Sequence, residues 1–381
     1  MKRIVCFFIA AMLLCVPACA ITTLGADEID ISAPSAILVE KESGEVIYDK
    51  NSHERLPPAS VTKVMTMLLI VEAIDSGAIS LEDTVTASAR AASFGGSCVY
   101  LEEGEKMSVH EMLKCICVVS ANDCAVAMSE YLCGTEQAFV KKMNERAGQL
   151  GLEDTHFNNC TGLFDDAEHY TSAYDIAIMS RELLKHPLIK DYTTIWMDSI
   201  RGGQFGLSNT NKLVYYYEGC TGLKTGFTAL AGYCLAASAE RDGVEYIAVI
   251  MNGDSINSRN EDAKTLLSYG FANYALCPLR APDVLPPVSV TLGTADSVQP
   301  MYSGESAALI SRQSAADISY TVELCDSVTA PVAEGQQLGT LRVTVGGEEL
   351  RSVPLLAGSA VERAGLMQIF IRLLSGFVCL A

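Results

Sequence analysis

The stretch Leu56-Pro-Pro-Ala-Ser-Val-Thr-Lys-Val-Met-Thr66 sets the frame for the whole chain. Two prolines end an extended segment, because proline fixes φ and drives the residue before it out of the α region. A helix reads from Ser60 onward. Val61, Val64, Met65, Leu68, Leu69, Val71 and Ile74 are apolar with no clear polar face, the pattern of a helix buried inside a domain. Ser60 falls in its first turn and Lys63 three residues on, so both project from one face. A serine hydroxyl is a weak nucleophile until a base sits beside it. A lysine amine serves as that base where a dry site or a nearby cation lowers its pKa. The helix N-terminus adds free N–H groups and partial positive charge, which favour a developing oxyanion. Lys63 is the only lysine of the chain with a serine three positions before it. Taken alone, the pair is more simply a capping serine followed by a surface lysine, since serine is a favoured N-cap. Its weight comes from what lies further along.

Composition bounds the rest. With 381 residues, 49% of them hydrophobic, the chain is long enough for two domains with separate cores. A formal net charge of -19 argues against a phosphate-backbone partner, so no nucleic acid is expected. The 14 cysteines and five histidines form neither Cys-x-x-Cys nor His-Glu-x-x-His, so neither a metal nor another cofactor is expected.

The N-terminus reads as an export signal over residues 1–20. Lys2 and Arg3 form a basic region, Ile4 to Val16 an apolar one, and Ala18-Cys19-Ala20 a small-residue cleavage site. The alternative is a lipoprotein signal with Cys19 lipidated, against which Pro17 counts. Cleavage removes two positive charges and three of the 14 cysteines, leaving a net charge near -21 and 11 cysteines. An odd number cannot all pair internally. Cys115, Cys117, Cys124 and Cys133 lie in an apolar helical region and read as small core hydrophobes rather than a disulfide framework.

Ala36-Ile-Leu-Val-Glu and Glu45-Val-Ile-Tyr-Asp flank Lys41-Glu-Ser-Gly44, a β-hairpin with Gly44 in the turn. Phe94-Gly-Gly-Ser97 reads as a loop, and Ser108-Val-His-Glu111 as a capping box before a helix reaching Val119. Ser120-Ala-Asn-Asp-Cys124 ends that helix and starts another at about Asp123. A serine and an asparagine there either point into a cleft or simply cap helices. Residues 137–150 and 172–184 read as helices with a loop at 151–162. Gly219-Cys-Thr-Gly-Leu-Lys-Thr-Gly-Phe-Thr228 precedes two strands, Tyr233 to Ala239 and Tyr246 to Met251, so Lys224-Thr-Gly opens an antiparallel strand. Gly226 would let a ligand backbone approach that strand. Lys224 and Thr225 supply a cation and a hydroxyl suited to a carboxylate, and the plainer alternative is a turn before a hairpin. A last helix spans Asp262 to Tyr274, closing a domain at 28–277.

Pro278, Pro282, Pro286 and Pro287 mark a linker at 278–287. Alternating apolar and polar residues in Ser289-Val-Thr-Leu, Ser319-Tyr-Thr-Val-Glu-Leu and Thr340-Leu-Arg-Val-Thr-Val, with Gly346-Gly347 as a turn, predict a small antiparallel β domain at 288–357. The tail, 358–381, places Gln368, Arg372 and Ser375 on one narrow polar stripe of an otherwise apolar helix. It is shorter than the ~20 apolar residues of a spanning helix and fits one lying in the membrane surface. A docked core helix is the alternative.

Together, Ser60-x-x-Lys63, Ser120-x-Asn122 and Lys224-Thr225-Gly226 resemble the low-molecular-mass penicillin-binding proteins, in particular the serine-type D-Ala-D-Ala carboxypeptidases of peptidase family S11. His169-Tyr-Thr-Ser-Ala-Tyr-Asp175, Asn209-Thr-Asn-Lys-Leu213 and the run from Gly219 to Met251 share the likeness, as do the linker, the β domain and the tail. The resemblance implies an α/β (α+β) β-lactamase/transpeptidase-like catalytic domain, an antiparallel sheet flanked by helices, followed by the β domain and tail helix. It implies that Ser60 attacks the D-Ala-D-Ala bond of a peptidoglycan stem peptide and forms an acyl-enzyme, with Lys63 as base and Ser120 passing a proton to the leaving D-Ala. Asn122 would hold the substrate amide, Lys224 supply positive charge, Thr225 grip the terminal carboxylate, and the N–H groups of Ser60 and Phe227 form the oxyanion hole. β-Lactam antibiotics would acylate Ser60 and leave slowly, and the enzyme would work at the outer face of the cytoplasmic membrane. Two positions depart from the pattern: Ala121 replaces Asp, at a position not facing the cleft, and Phe227 stands where some relatives carry His, which bears on the substrate pocket.

Three other readings compete. A class A β-lactamase needs a Glu-x-x-Leu-Asn element roughly a hundred residues after its serine; here Glu153 leads to Asn158, one position late and without the leucine. A non-catalytic wall-binding protein would be expected to lose Ser60, Lys63 or Lys224, and all three are present. A transpeptidase or endopeptidase on the same scaffold differs in acceptor or leaving group, not in nucleophile.

Overall fold

The computed structural model describes residues 29–281, 283–304 and 307–370. The signal expected at 1–20 and the part of the tail beyond residue 370 lie outside them. The catalytic domain is built on one antiparallel sheet. Its strands are β1 (Ser35–Glu40), β2 (Val46–Lys50), β3 (Cys220–Thr228), β4 (Gly232–Arg241) and β5 (Val244–Gly253), in the order β2-β1-β5-β4-β3. The two-residue period of a strand sorts its side chains onto two cores. Ile37, Val39, Ala236, Ile247 and Val249 face one, and Ala36, Leu38, Leu235, Ala237, Ala248 and Ile250 the other. Both faces are covered, so β5 reads as a nearly continuous apolar run.

The first core is filled by α1 (Lys63–Asp75), α2 (Val109–Val119), α3 (Asn122–Cys133), α4 (Glu136–Gln149) and α5 (Ala173–Leu184). Helix α1 is buried on nearly every side, as its lack of a polar face requires. The second core lies under α6 (Ile256–Asn273) through Ala263, Leu266 and Leu267. Cys115, Cys117 and Cys124 pack in the first core as small hydrophobes, and Cys133 packs half-buried against it.

The structure departs from the sequence reading at several points. The α-helix starts at Lys63, not Ser60, because Ala59–Thr62 forms a 3₁₀ turn. Ala59 stands at φ 48, a left-handed conformation that no α-helix continues. Since a 3₁₀ turn has three residues per turn, Ser60 and Lys63 still fall on one side. Helix α6 starts six residues earlier than Asp262, at Ile256, on a capping box made by Ser255 and Ser258. Serine in place of Glu or Gln at the third position hid that signal.

Beyond α6, Tyr274–Pro278 pairs with Ala307–Ser311, and Leu279 and Leu285, inside the expected linker, are buried in the core of the β domain. That domain holds a four-stranded antiparallel sheet, in the order Pro300–Tyr302, Glu348–Ala357, Gln337–Val345, Ile318–Leu324. Gly346 and Gly347 both take positive φ in the hairpin turn. The segment 358–364, expected to open the tail, instead runs along the β domain. Val361 bridges Val332, Arg363 bridges Gly293, and Ala364 donates its N–H to Leu292. Helical backbone begins at 366, with Leu366, Met367 and Phe370 exposed.

Candidate active site

The turn carrying Ser60 is wedged between β3 and the loop 155–171. At Gly226 a side chain would place its Cβ 2.7 Å from the Pro58 carbonyl and 3.1 Å from the Ser60 nitrogen. The bare strand at Gly226 makes room for the turn that carries Ser60, a close approach within the chain that the sequence reading, which gave this glycine to a ligand backbone, did not foresee. On the other side Gly162, at φ 70, would drive a Cβ into the Ala59 carbonyl.

Lys63 lies under Ser60. Its ammonium donates to Ser60 Oγ at 3.1 Å, Asn122 Oδ1 at 2.7 Å and the Thr161 carbonyl at 2.9 Å. Its side chain is fully buried, and burial, ahead of any neighbouring charge, pushes its pKa down to about 7. Lys224, on β3, is also buried and hydrogen-bonded to the Thr225 carbonyl at 2.7 Å. Burial, with the charge of Lys63 next, holds it well below the usual lysine range. A half-neutral amine against a serine hydroxyl is competent to take its proton at neutral pH.

Ser120 ends α2 in the left-handed conformation, φ 64, which turns its side chain out of the helix line. Its hydroxyl is buried and has no hydrogen-bond partner among the described residues. A buried, unpaired hydroxyl is costly in an empty site and useful where a reacting group will meet it. Asn122 starts α3 and uses both ends of its amide, accepting from Lys63 and donating to the Gly95 carbonyl at 2.8 Å. One of its two N–H bonds remains for a ligand. Ala121 is fully buried in the first core. Thr225 donates to Thr210 Oγ1 at 2.8 Å. Phe227 is exposed, its ring 4.4 Å from that of Tyr233. The structure thus brings Lys63 into direct contact with both Ser60 and Asn122 and sets Lys224, Thr225, Gly226 and Phe227 along one strand. That strand is the outer one of its sheet, with a free edge among the described residues.

Four participants escaped the sequence reading. The Thr161 carbonyl holds Lys63 but belongs to the main chain and has no residue signature. Asp123 accepts the N–H groups of Val99 and Leu101 at 3.0 and 3.1 Å, tying down the loop that touches Asn122. Thr210 sits within the Asn209-to-Leu213 run, noticed only as a likeness. Arg259 is buried without an ion pair among the described residues. It donates to Asn260 Oδ1 and the Cys234 carbonyl, and burial lowers it to about 10. Its charge adds to the field at Lys224.

A serine against a buried, low-pKa lysine on an antiparallel sheet flanked by helices is the arrangement of the serine acyl-transfer enzymes of the penicillin-recognising class. The chain matches the family model of D-alanyl-D-alanine carboxypeptidase over residues 22–255, and that of the penicillin-binding protein 5 C-terminal domain over 279–363. It belongs to the S11 D-alanyl-D-alanine carboxypeptidase family and is a peptidase of that kind. It is 42% identical to the D-alanyl-D-alanine carboxypeptidase DacF of Bacillus subtilis over 346 residues, 89% of this chain and 88% of that protein. It is 30% identical to DacA of Escherichia coli K12 over 335 residues, 86% of this chain and 83% of that protein. Among solved structures, penicillin-binding protein 5 of Haemophilus influenzae superposes with a TM-score of 0.77 at 28% identity, covering 88% of this chain and 99% of that one.

Proposed function

We propose that this chain removes the terminal D-Ala of peptidoglycan stem peptides through an ester on Ser60. Neutral Lys63 takes the Ser60 proton as Oγ bonds to the carbonyl carbon of the D-Ala-D-Ala bond. Negative charge on the carbonyl oxygen meets the N–H groups of Ser60 and Phe227. Ser120 relays a proton to the leaving nitrogen, the C–N bond breaks and D-Ala departs as an amine. Water then attacks the ester, returns the proton to Ser60 and releases the shortened peptide. The substrate lies along the outer edge of β3 as an added strand, with Asn122 at its amide. Its terminal carboxylate meets Thr225 and the positive field of Lys224 and Arg259. β-Lactams follow the same first step and are held as the ester.

The observation that carries this reading is the 3.1 Å contact between Lys63 Nζ and Ser60 Oγ, in a site dry enough to bring the lysine to about 7. Labelled penicillin should attach to wild-type protein and fail on a folded Ser60→Ala variant, and muropeptide mass should fall by one alanine only with wild type. Labelling that persists in Ser60→Ala would put the nucleophile elsewhere.

We further infer an exported enzyme at the outer face of the cytoplasmic membrane, held by the amphipathic tail. No helix among the described residues is long and apolar enough to cross a membrane. The exposed Leu366, Met367 and Phe370 suit a surface-lying helix instead.

A further inference from the structure

We propose that Thr62 and His169 are positioning residues that aim the Ser60 N–H at the reacting carbonyl oxygen by anchoring the carbonyl of Ala59. The inference rests on the reading of Ser60 as nucleophile and oxyanion donor. The Ala59 carbonyl and the Ser60 N–H belong to one trans peptide unit. That unit is planar, so fixing the direction of C=O fixes the direction of N–H on the opposite side. Ala59 stands at φ 48, where an alanine does not rest unless its surroundings hold it.

What holds it is a one-way chain of hydrogen bonds, buried from His169 inward. Asn158 donates its N–H to His169 Nδ1 at 3.0 Å. With Nδ1 accepting, the neutral ring carries its proton on Nε2. Nε2 donates to Thr62 Oγ1 at 2.8 Å, which leaves the Thr62 hydroxyl hydrogen for the Ala59 carbonyl at 2.8 Å. Thr62 and His169 are both almost fully buried. Burial pushes His169 down to about 4, so the ring stays neutral at working pH despite Asp166 nearby, and His156 acts in the same direction as burial. Each donor in such a chain polarises the next, so a carbonyl that accepts makes its partner N–H the stronger donor. Gly162 and Gly226 close the two flanks of the same peptide, and among the described residues the Thr62 hydroxyl is the side-chain group that hydrogen-bonds its carbonyl.

The test separates transition-state aim from packing. Thr62→Val keeps the shape and removes the hydroxyl; Thr62→Ser keeps the hydroxyl. Acylation by a fluorescent penicillin is resolved into the pre-covalent Kd and the acylation rate constant, with thermal melting as a fold control. The expectation is a roughly 10- to 100-fold slower acylation in Thr62→Val, a fraction of the loss when an oxyanion donor is removed outright. Kd should change less than about threefold, and Thr62→Ser should recover the rate to within about threefold, since a misaimed donor weakens only the transition state. Wild-type acylation in Thr62→Val overturns the proposal, and so does a Thr62→Ser variant as slow as Thr62→Val. If Thr62→Val does not fold, His169→Gln, which can donate where Nε2 does, should outpace His169→Leu about tenfold, and equal rates overturn the proposal. Failure of the underlying reading shows separately, as labelling of Ser60→Ala.

Discussion

The low pKa of Lys63 makes a quantitative prediction for the pH dependence of acylation. At a pKa of about 7 the amine is neutral in roughly 1% of molecules at pH 5, half at pH 7 and 99% at pH 9. The acylation rate constant should therefore rise tenfold per pH unit up to about pH 6.5 and level off above about pH 8. An unperturbed lysine, at about 10.4, would still be only about 0.4% neutral at pH 8, and the rate would keep climbing tenfold per unit. Rapid-mixing measurement with a fluorescent penicillin separates this constant from the initial Kd. Kd should weaken on the alkaline side as Lys224, also held low by burial, loses its charge. Lys63→Arg stays protonated throughout, so its rate should be flat with pH and lower by about 10²–10⁴, the usual worth of a general base. The linkage gives an independent check. The unfolded chain keeps this proton up to its unperturbed pKa, whereas the folded chain releases it near 7, so stability rises with pH between those values. Relative to Lys63→Met, the wild-type fold should gain up to about 5 kcal/mol from pH 7 to pH 10.5, at ~1.36 kcal/mol per pKa unit. A rate still rising tenfold per unit between pH 8 and pH 10 would refute the reasoning.

Two further outcomes follow from the geometry. Gly226→Ala places a Cβ 2.7 Å from the Pro58 carbonyl; penicillin labelling should slow by about tenfold or more and the melting temperature fall, and a variant with both unchanged would contradict the wedge. Truncation after Gly365 should release an active, soluble enzyme from membranes, while a cut before Gly358 should also lower the melting temperature, because Val361 and Ala364 are buried in the β domain; fractionation and melting of the two forms check this, and a membrane-bound first form would refute the anchor.

Much of the fold was legible because burial leaves a pattern. The unbroken apolar run of α1 announced a helix covered on all sides, and the run from Tyr233 to Met251 announced two paired strands. What stayed hidden depends on main-chain geometry or on weak signals. Nothing in Ala59 marks it for the left-handed conformation, which is held by the side chains of Thr62 and, distant in sequence, His169, and lies where only the bare Gly162 and Gly226 fit against the turn. Ser255 and Ser258 cap α6 with two hydroxyls where a Glu or Gln was the cue. The prolines at 278–287 read as a linker because proline breaks regular structure, yet Leu279 and Leu285 between them are buried.

In the site, residue types were legible and their electrostatic state was not. Serine, lysine and asparagine at fixed spacings name the groups, but a lysine is a base only if no carboxylate keeps it charged. This chain has 46 acidic residues and a net charge of -19, so an acid beside each lysine would be the ordinary outcome. Among the described residues neither Lys63 nor Lys224 has an ion pair. The acid placed to supply one is Asp123, next in sequence to the asparagine that touches Lys63. Its carboxylate is taken up by the N–H groups of Val99, Leu101 and Cys124. Those three bonds satisfy the carboxylate without a cation, and its pull on Lys63 ranks below the cost of burial. The carboxylate that clamps the Phe94-to-Leu101 loop is thus one that opposes the lowering of Lys63, and burial of the amine outweighs it.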